Sequence, residues 1–549
     1  MSGVRLILAL HNHQPVGNFD GVFEAAYREA YLPFLDVLED YPEIPFVLHT
    51  SGPLMEWLVE RRPEYVARVR NMVAAGRVEI LGGGFYEPIM TMIPRRDRVG
   101  QIKGYADYLN ELFATKVRGM WVPERVWEQS MVSALAEAGV EYTVLDDFHF
   151  QRAGLEESDL FGYYLTEDEG RLVKVFPGSE RLRYTVPFHA PHATYEYLRR
   201  VADRHPGATV VFADDGEKFG SWPETFDHVY TKGWLRHFCD MIVGNRDWLQ
   251  ATTFARAVDG TLPLGKVYLP DCSYREMTEW ALSASKQAEF QHAAALLSEH
   301  PAAETLKPFL RAGGPWRNFK ARYPESDEMY ARMLGISQRL AEAESNPEAD
   351  PDYLEVARQE LYRGQCNCPY WHGSFGGLYL PHLRNAIYRC LISAHNALDD
   401  AEGKTGPRVA LDVADYNLDA RQEVRLENDR IIAFVRPATG GQVYELDVRH
   451  ALTNVLATLE RRPEPYHAKI AAVAAGEALK NPNERFVLKQ KGLDRLLVYD
   501  RHPRKALVDH FYPADVALAD LVSGRDVERG DFVQGAYLSR ITRGPERLK

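Results

Sequence analysis

The chain has 549 residues, with 45% hydrophobic and 26% charged side chains, as expected of a globular protein of two or three domains. A formal net charge of −13 excludes nucleic acid as the main partner, because phosphate binding needs a basic field. Five cysteines form no disulfide framework, so a reducing cytoplasmic location is expected. The only early apolar run, Leu6 to Leu10, breaks at His11-Asn-His13. It is too short for a signal peptide, and no later stretch is long enough to span a membrane.

In chain order, strands are expected at 4–10, 45–49, 78–81, 117–122, 142–145, 209–213 and 267–269, with helical patterns between them. That alternation predicts a parallel sheet with crossovers, closed or nearly closed into a barrel. Strand signals then nearly vanish, and helices are expected within 283–299, 327–344 and 353–362. Gly403-Lys-Thr-Gly-Pro407 reads as a linker. Beyond it strands are expected at 408–413, 422–426, 431–436 and 442–447. The domains are therefore expected to be a barrel over 1–282, a helical segment over 283–402 and a β-sandwich over 408–549.

Chemistry-bearing residues gather in loops that follow strands, the side on which α/β barrels place their sites. They are His11-Asn-His13-Gln-Pro15, Glu79 with Gly82-Gly-Gly84-Phe-Tyr-Glu-Pro88, Trp121-Val-Pro-Glu124-Arg-Val-Trp127, Asp146-Asp147-Phe-His149, Asp214-Asp215-Gly-Glu-Lys-Phe-Gly220 with Trp222, and Asp271 to Glu276. Two carboxylates from separate strand ends suit glycosidic chemistry, one as nucleophile and one as acid/base. Adjacent strand residues point to opposite faces, so only one of Asp214 and Asp215 can face the axis. The glycine triplet is expected to give the backbone clearance for substrate.

Two metal readings arise. His11 and His13 with Asp146 or Asp147 could ligate zinc, as in a metal-dependent polysaccharide deacetylase. Cys366 and Cys368 with His372 and His382 have an unusual spacing for such a site. Gly313 to Phe319 and Tyr370-Trp371-His372-Gly-Ser-Phe375 are rich in groups that stack on sugars and bond hydroxyls.

These loops resemble glycoside hydrolase family 57, and within it the 4-α-glucanotransferases also called α-amylases. Five short regions carry the resemblance: His11 to Pro15, Glu79 to Pro88, Trp121 to Trp127, Asp214 to Gly220 and Ser273-Tyr-Arg-Glu-Met-Thr-Glu-Trp280. It extends through Tyr370-Trp371-His372-Gly into the β module. The resemblance implies an incomplete (β/α)7 barrel, helices and a β-sandwich, with no catalytic metal or organic cofactor. It implies Glu124 as nucleophile and Asp215 as general acid/base. It implies substrate contacts from His11, His13, Glu79, Trp121 and Trp371, and Asp147, Trp222 and His372 join that set as further candidates. The family's β domain continues past the point where this sequence stops, so an incomplete sandwich is expected. The implied activity is retaining transfer between α-1,4-glucans, such as maltooligosaccharides or starch. Hydrolysis by the same residues is the alternative, and a catalytically inactive glucan-binding protein a further one. Whether the chain forms a homo-oligomer is left open.

Overall fold

The computed structural model describes residues 3–312, 314–373, 376–476 and 490–542. They divide into two compact units. The first is residues 1–278 with the short stretches 314–317 and 365–368; the second is the remainder.

The first unit is built on nine strands: β1 (Val4–Asn12), β2 (Phe46–Thr50), β3 (Val78–Leu81), β4 (Gly119–Trp121), β5 (Tyr142–Asp146), β6 (Tyr164–Asp168), β7 (Arg171–Gly178), β8 (Thr209–Asp215) and β9 (Leu249–Thr252). Seven run in the order β3-β2-β1-β8-β7-β5-β4. A parallel bridge between Gly82 and Met120 brings β4 back to β3 and closes the ring. β6 pairs antiparallel with β7, and β9 lies beside the start of β1. The ring has two thin seams. β7 and β8 share one register pair, Gly178 with Val211, and β4 meets β3 only through the Gly82 bridge.

Two-residue alternation sorts the strands. Ile7, Ala9, Val47, Leu81, Trp121, Val144, Val211 and Ala213 pack together inside the ring. Leu6, Leu8, Leu10, Phe46, Leu48, Val210 and Phe212 pack in a second core with helical residues such as Leu35, Leu54 and Tyr105. Both faces of these strands are therefore buried, and this is why they read as continuous apolar runs.

The expected strand at 267–269 does not form. Its apolar run is short, and Lys266 makes only an isolated bridge to Leu165. The seventh ring strand is Arg171–Gly178, whose Lys174 and Pro177 hide it in sequence. The helix after the Trp121–Trp127 loop is Met131–Glu137.

The second unit contains helices Ala284–Ser298, Pro324–Glu344, Pro351–Gly364 and Pro381–Ala401. Its sheet is β10 (Val409–Ala414), β11 (Glu423–Asn428), β12 (Ile431–Arg436), β13 (Gln442–Val448) and β14 (Thr453–Asn454), antiparallel throughout and in chain order. Among the described residues this is one layer of the expected sandwich. Residues 455–476 and 490–542 are mostly loops and turns. The expected terminus at Arg543 to Lys549 lies outside the described residues. No helix among them is long and apolar enough to cross a membrane.

Gly119 sits at the β3–β4 seam, where an added Cβ meets the Tyr142 ring and the Leu81 side chain. Gly119→Ala is expected to destabilise the fold by roughly 1–3 kcal/mol, measured by denaturant unfolding.

Candidate active site

Register decides which side chains meet at the top of the ring. His11 on β1 stands level with His49 on β2 and Asp215 on β8. All three continue the inward-facing series of Ala9, Val47 and Ala213. Asp214 falls on the opposite face, so alternation separates the adjacent acids into two roles.

Asp214 is neutralised. Lys218 Nζ bonds it, Arg183 Nε lies 3.6 Å away and Arg125 Nη2 3.8 Å away. Burial works to raise its pKa, but Lys218, Arg183 and Arg125 overcome this and hold it below the usual carboxylate range. Asp215 has no such immediate counter-ion. Burial and the neighbouring Asp214 charge raise its pKa, against weaker pulls from Lys218, Arg125 and Arg183.

Glu124 stands beyond β4 on a turn with φ of 52°, and Arg125 follows at 49°. Left-handed backbone at non-glycine residues costs on the order of 1–2 kcal/mol each. Surrounding bonds hold it. Ser273 Oγ donates to the Glu124 carbonyl, and His149 Nε2 lies 2.9 Å from the Arg125 carbonyl. The turn aims the Glu124 carboxylate at Tyr274, whose hydroxyl donates to Oε2 at 3.1 Å. Burial first, and the Asp215 charge second, push the Glu124 pKa up to about 7. The two carboxylates therefore feel one another across the ring.

Beside them lies a histidine cluster around Glu87. His13 Nδ1 sits 2.7 Å from Glu87 Oε2, and its backbone N–H donates to Glu217 Oε1 at 2.9 Å. Burial alone would lower the His13 pKa, but Glu87 raises it to about 10, so it carries charge at neutral pH. His11 and His49 share a 2.8 Å Nδ1···Nδ1 contact. Burial and the His13 charge push His11 well down, so it is neutral. Glu217, which accepts from Tyr31, is raised to about 7 by burial and by Asp215.

The structure brings together Glu124, Asp215, His11 and His13 from the expected set. Trp121 is near but only 3% exposed, with its ring stacked on His11 at 4.5 Å and Arg125 above it at 5.1 Å. It supports the site from beneath. Trp222 pairs loosely with Phe188 and lies 5.0 Å from Lys218 Nζ. Glu79 is not in the cluster. It points into the ring below, accepting from Tyr142 and from the Ala255 N–H, each at 2.8 Å. The carboxylate that this loop supplies is Glu87. Asp147 accepts from the Glu180 N–H at 3.0 Å and lines a cavity of about 460 Å³ whose walls include neither Glu124 nor Asp215.

In the second unit, Trp371 stacks on Trp280 at 6.1 Å and is 9% exposed. His372 Nε2 meets the Tyr323 hydroxyl at 2.7 Å, within an aromatic group that includes Phe319 and Tyr379. Of the two aromatic stretches, Gly313, Ser374 and Phe375 lie outside the described residues.

The glycine triplet clears protein rather than opening space for substrate. A Cβ on Gly83 comes within 2.8 Å of His49 Nε2, and one on Gly84 strikes Pro88 and Met90. The deacetylase ligand set does not assemble, because Asp146 is bound by Arg183 at 2.6 Å. Asp147 is held by the Glu180 N–H instead. Among the described residues, the carboxylate that gathers with His11 and His13 closely enough to share an ion is Glu87. Cys368 Sγ lies 3.1 Å from His13 Nε2, so that cysteine faces the histidine cluster.

Sequence reasoning passed over His49, Glu87, Glu217 and Tyr274. His49 lies on β2 with the same parity as Val47, so the alternation that selects Asp215 also pointed to it; Glu217 lies in a helical turn after β8, where that alternation stops. Glu87 and Tyr274 come from irregular loops, where no period applies.

A parallel ring with acids and histidines at the carboxyl ends of its strands belongs to the class of (β/α)-barrel enzymes with their site at that face. The Glycosyl hydrolase family 57 model matches residues 7–259. Models for the middle and C-terminal domains of Alpha-amylase/4-alpha-glucanotransferase match 314–398 and 415–549. An "Alpha-amylase" of Pyrococcus furiosus is 40% identical over all of this chain and 80% of its own length. A "4-alpha-glucanotransferase" of Thermococcus litoralis is 40% identical over 98% of this chain and 79% of its own. The crystal structure of the Thermococcus litoralis 4-alpha-glucanotransferase superposes with a TM-score of 0.88, at 38% identity, over 100% of this chain and 79% of that one. The chain belongs to glycosyl hydrolase family 57.

Two outcomes follow from the site's electrostatics. The rate on glucans is expected to rise with pH through about 7 as Glu124 loses its proton. In Asp215→Asn, assayed on an α-glucosyl fluoride that needs no acid, this limb should stay above the ordinary carboxylate range, because burial, the larger cause of the Glu124 shift, is unchanged. A pH–rate profile of both proteins checks it. Arg125→Leu, which strands Asp214 and Asp146 beside fewer cations, is expected to cost about 3–5 kcal/mol in denaturant unfolding.

Proposed function

We propose that the chain is a retaining 4-α-glucanotransferase acting on α-1,4-glucans. The observation that carries this reading is the placement of Glu124 and Asp215, two buried carboxylates delivered to the top of one ring by its opposite parts. Glu124, ionised and steered by Tyr274, attacks the anomeric carbon of the donor sugar. Asp215 gives its proton to the departing glycosidic oxygen, so the C–O bond breaks as the Glu124 ester forms. Esterification removes the Glu124 charge, so Asp215 can ionise without meeting a second carboxylate across the ring. Asp215 then accepts the proton of an incoming 4-hydroxyl, which displaces Glu124 and restores the α-linkage.

The charged His13–Glu87 pair and neutral His11 line the cleft beside the anomeric centre in this reading, as donors to sugar hydroxyls. Trp222 offers an apolar ring face a short way along the chain from Asp215. Hydrolysis by the same residues is the second reading, since relatives of equal identity carry the name "Alpha-amylase". The two differ in what reaches the glycosyl-enzyme first, a sugar hydroxyl or water.

Incubation with maltotriose separates them. Transfer yields glucose together with chains longer than three units, whereas maltose and glucose without longer products would overturn the transferase reading. Glu124→Gln is expected to lower the rate by a factor on the order of 10⁴ or more. A glycosylated peptide spanning Glu124 is expected by mass spectrometry from an Asp215→Asn protein given an activated donor. Label found elsewhere would overturn the assignment of the nucleophile.

A further inference from the structure

Among the described residues, three clusters of acids or histidines lie close enough to share an ion. His11, His13 and Glu87 belong to the site described above. His395, Asp399 and Glu427 are already saturated with cations, because Arg339, Arg408 and Arg449 all bond Asp399. The third is Asp415, Asp419 and Glu423, whose carboxylate oxygens lie within 4.8 Å of one another in the loop joining β10 to β11.

This loop reads Asp415-Tyr-Asn417-Leu-Asp419-Ala-Arg-Gln-Glu423, with oxygen-bearing side chains at alternate positions and a glutamate closing the series. Glu423 is 0% exposed. Its Oε2 accepts the Tyr416 N–H at 2.9 Å and the Asn417 N–H at 3.3 Å. Its Oε1 is buried with no hydrogen-bond partner. An unpartnered buried carboxylate oxygen is costly, and here it belongs to a side chain that meets two further carboxylates. Arg436 acts on Glu423 from a distance, and Arg436 itself pairs with Glu328 at 3.3 Å. Asp415 and Asp419 accept from the backbone N–H groups of Asp419, Ala420 and Arg421, and Asp419 also accepts from Asn417 Nδ2 at 3.2 Å. These bonds shape the loop, and among the described residues no side-chain cation forms an ion pair with Asp415 or Asp419.

We propose that the β10–β11 loop binds a hard divalent cation of the calcium class, held by the carboxylates of Asp415, Asp419 and Glu423 with Asn417 at its edge. The donor set is all oxygen, without thiol or imidazole, which selects calcium over zinc or copper. Asp415 directly follows β10 and Glu423 opens β11, so the ion ties the two strand ends together. It is a structural site of the β domain and takes no part in the chemistry at Glu124.

The test uses the full chain, freed of metal by chelation and titrated with terbium(III), whose luminescence the adjacent Tyr416 sensitises. A saturable signal displaced by calcium is expected, with half-saturation by calcium below about 1 mM. In Asp415→Asn/Asp419→Asn the affinity is expected to fall at least tenfold, with activity on maltotriose serving as the control for folding. Glu423→Gln, which keeps the shape of the buried side chain, gives the same reading if the double variant does not accumulate. An unsaturable signal in the parent chain, or equal affinity in the variants, would overturn the site.

Discussion

Arg125 is the side chain on which the catalytic geometry depends. It leaves the Glu124 turn, lies over Trp121 and donates to the Ala213 carbonyl of β8 at 2.7 Å. Its guanidinium also lies near both Asp146 and Asp214. One cation therefore joins the loop that carries the nucleophile candidate to the strand that carries the acid/base candidate. The backbone between them offers little, because β7 and β8 share a single pair and β4 and β3 a single bridge. A guanidinium suits this role better than an ammonium, since its planar fork reaches several acceptors and stacks on tryptophan at once.

Charge separation in the site follows from the same arrangement. The cations Arg125, Arg183 and Lys218 gather around Asp146 and Asp214. Glu124, Asp215 and Glu217 lie apart from that group, and His13 is a positive neighbour of Glu124. Asp146 and Asp214 are therefore held below the usual carboxylate range, whereas burial raises Glu124, Asp215 and Glu217. Alternation along β8 is enough to divide two adjacent aspartates between these environments.

Much of this was legible in the chain. Apolar runs ending in polar loops located β1, β2, β3, β5 and β8, and the parity of Asp214 and Asp215 required their separation. Glu124 was marked by its place between a strand and a helix. Arg171–Gly178 escaped because lysine and proline interrupt its apolar pattern, and Val267 to Leu269 deceived because a short buried run need not pair. Glu79 looked like a site acid because it sits on a strand near an informative loop. Register places it level with Val47, too deep in the ring to reach the top. Glu87 lies past the strand on an irregular loop, with φ of 52°, where neither helical nor strand period predicts direction.

The two seams divide the ring into an arc of β3, β2, β1 and β8 and an arc of β7, β5 and β4. Asp215 rides on the first and Glu124 on the second. The gap between such carboxylates sets whether a sugar leaves with its anomeric configuration kept or reversed, about 5–5.5 Å against 6.5–9.5 Å. For the proposed pair, that gap spans two arcs whose backbone contact is one register pair and one bridge.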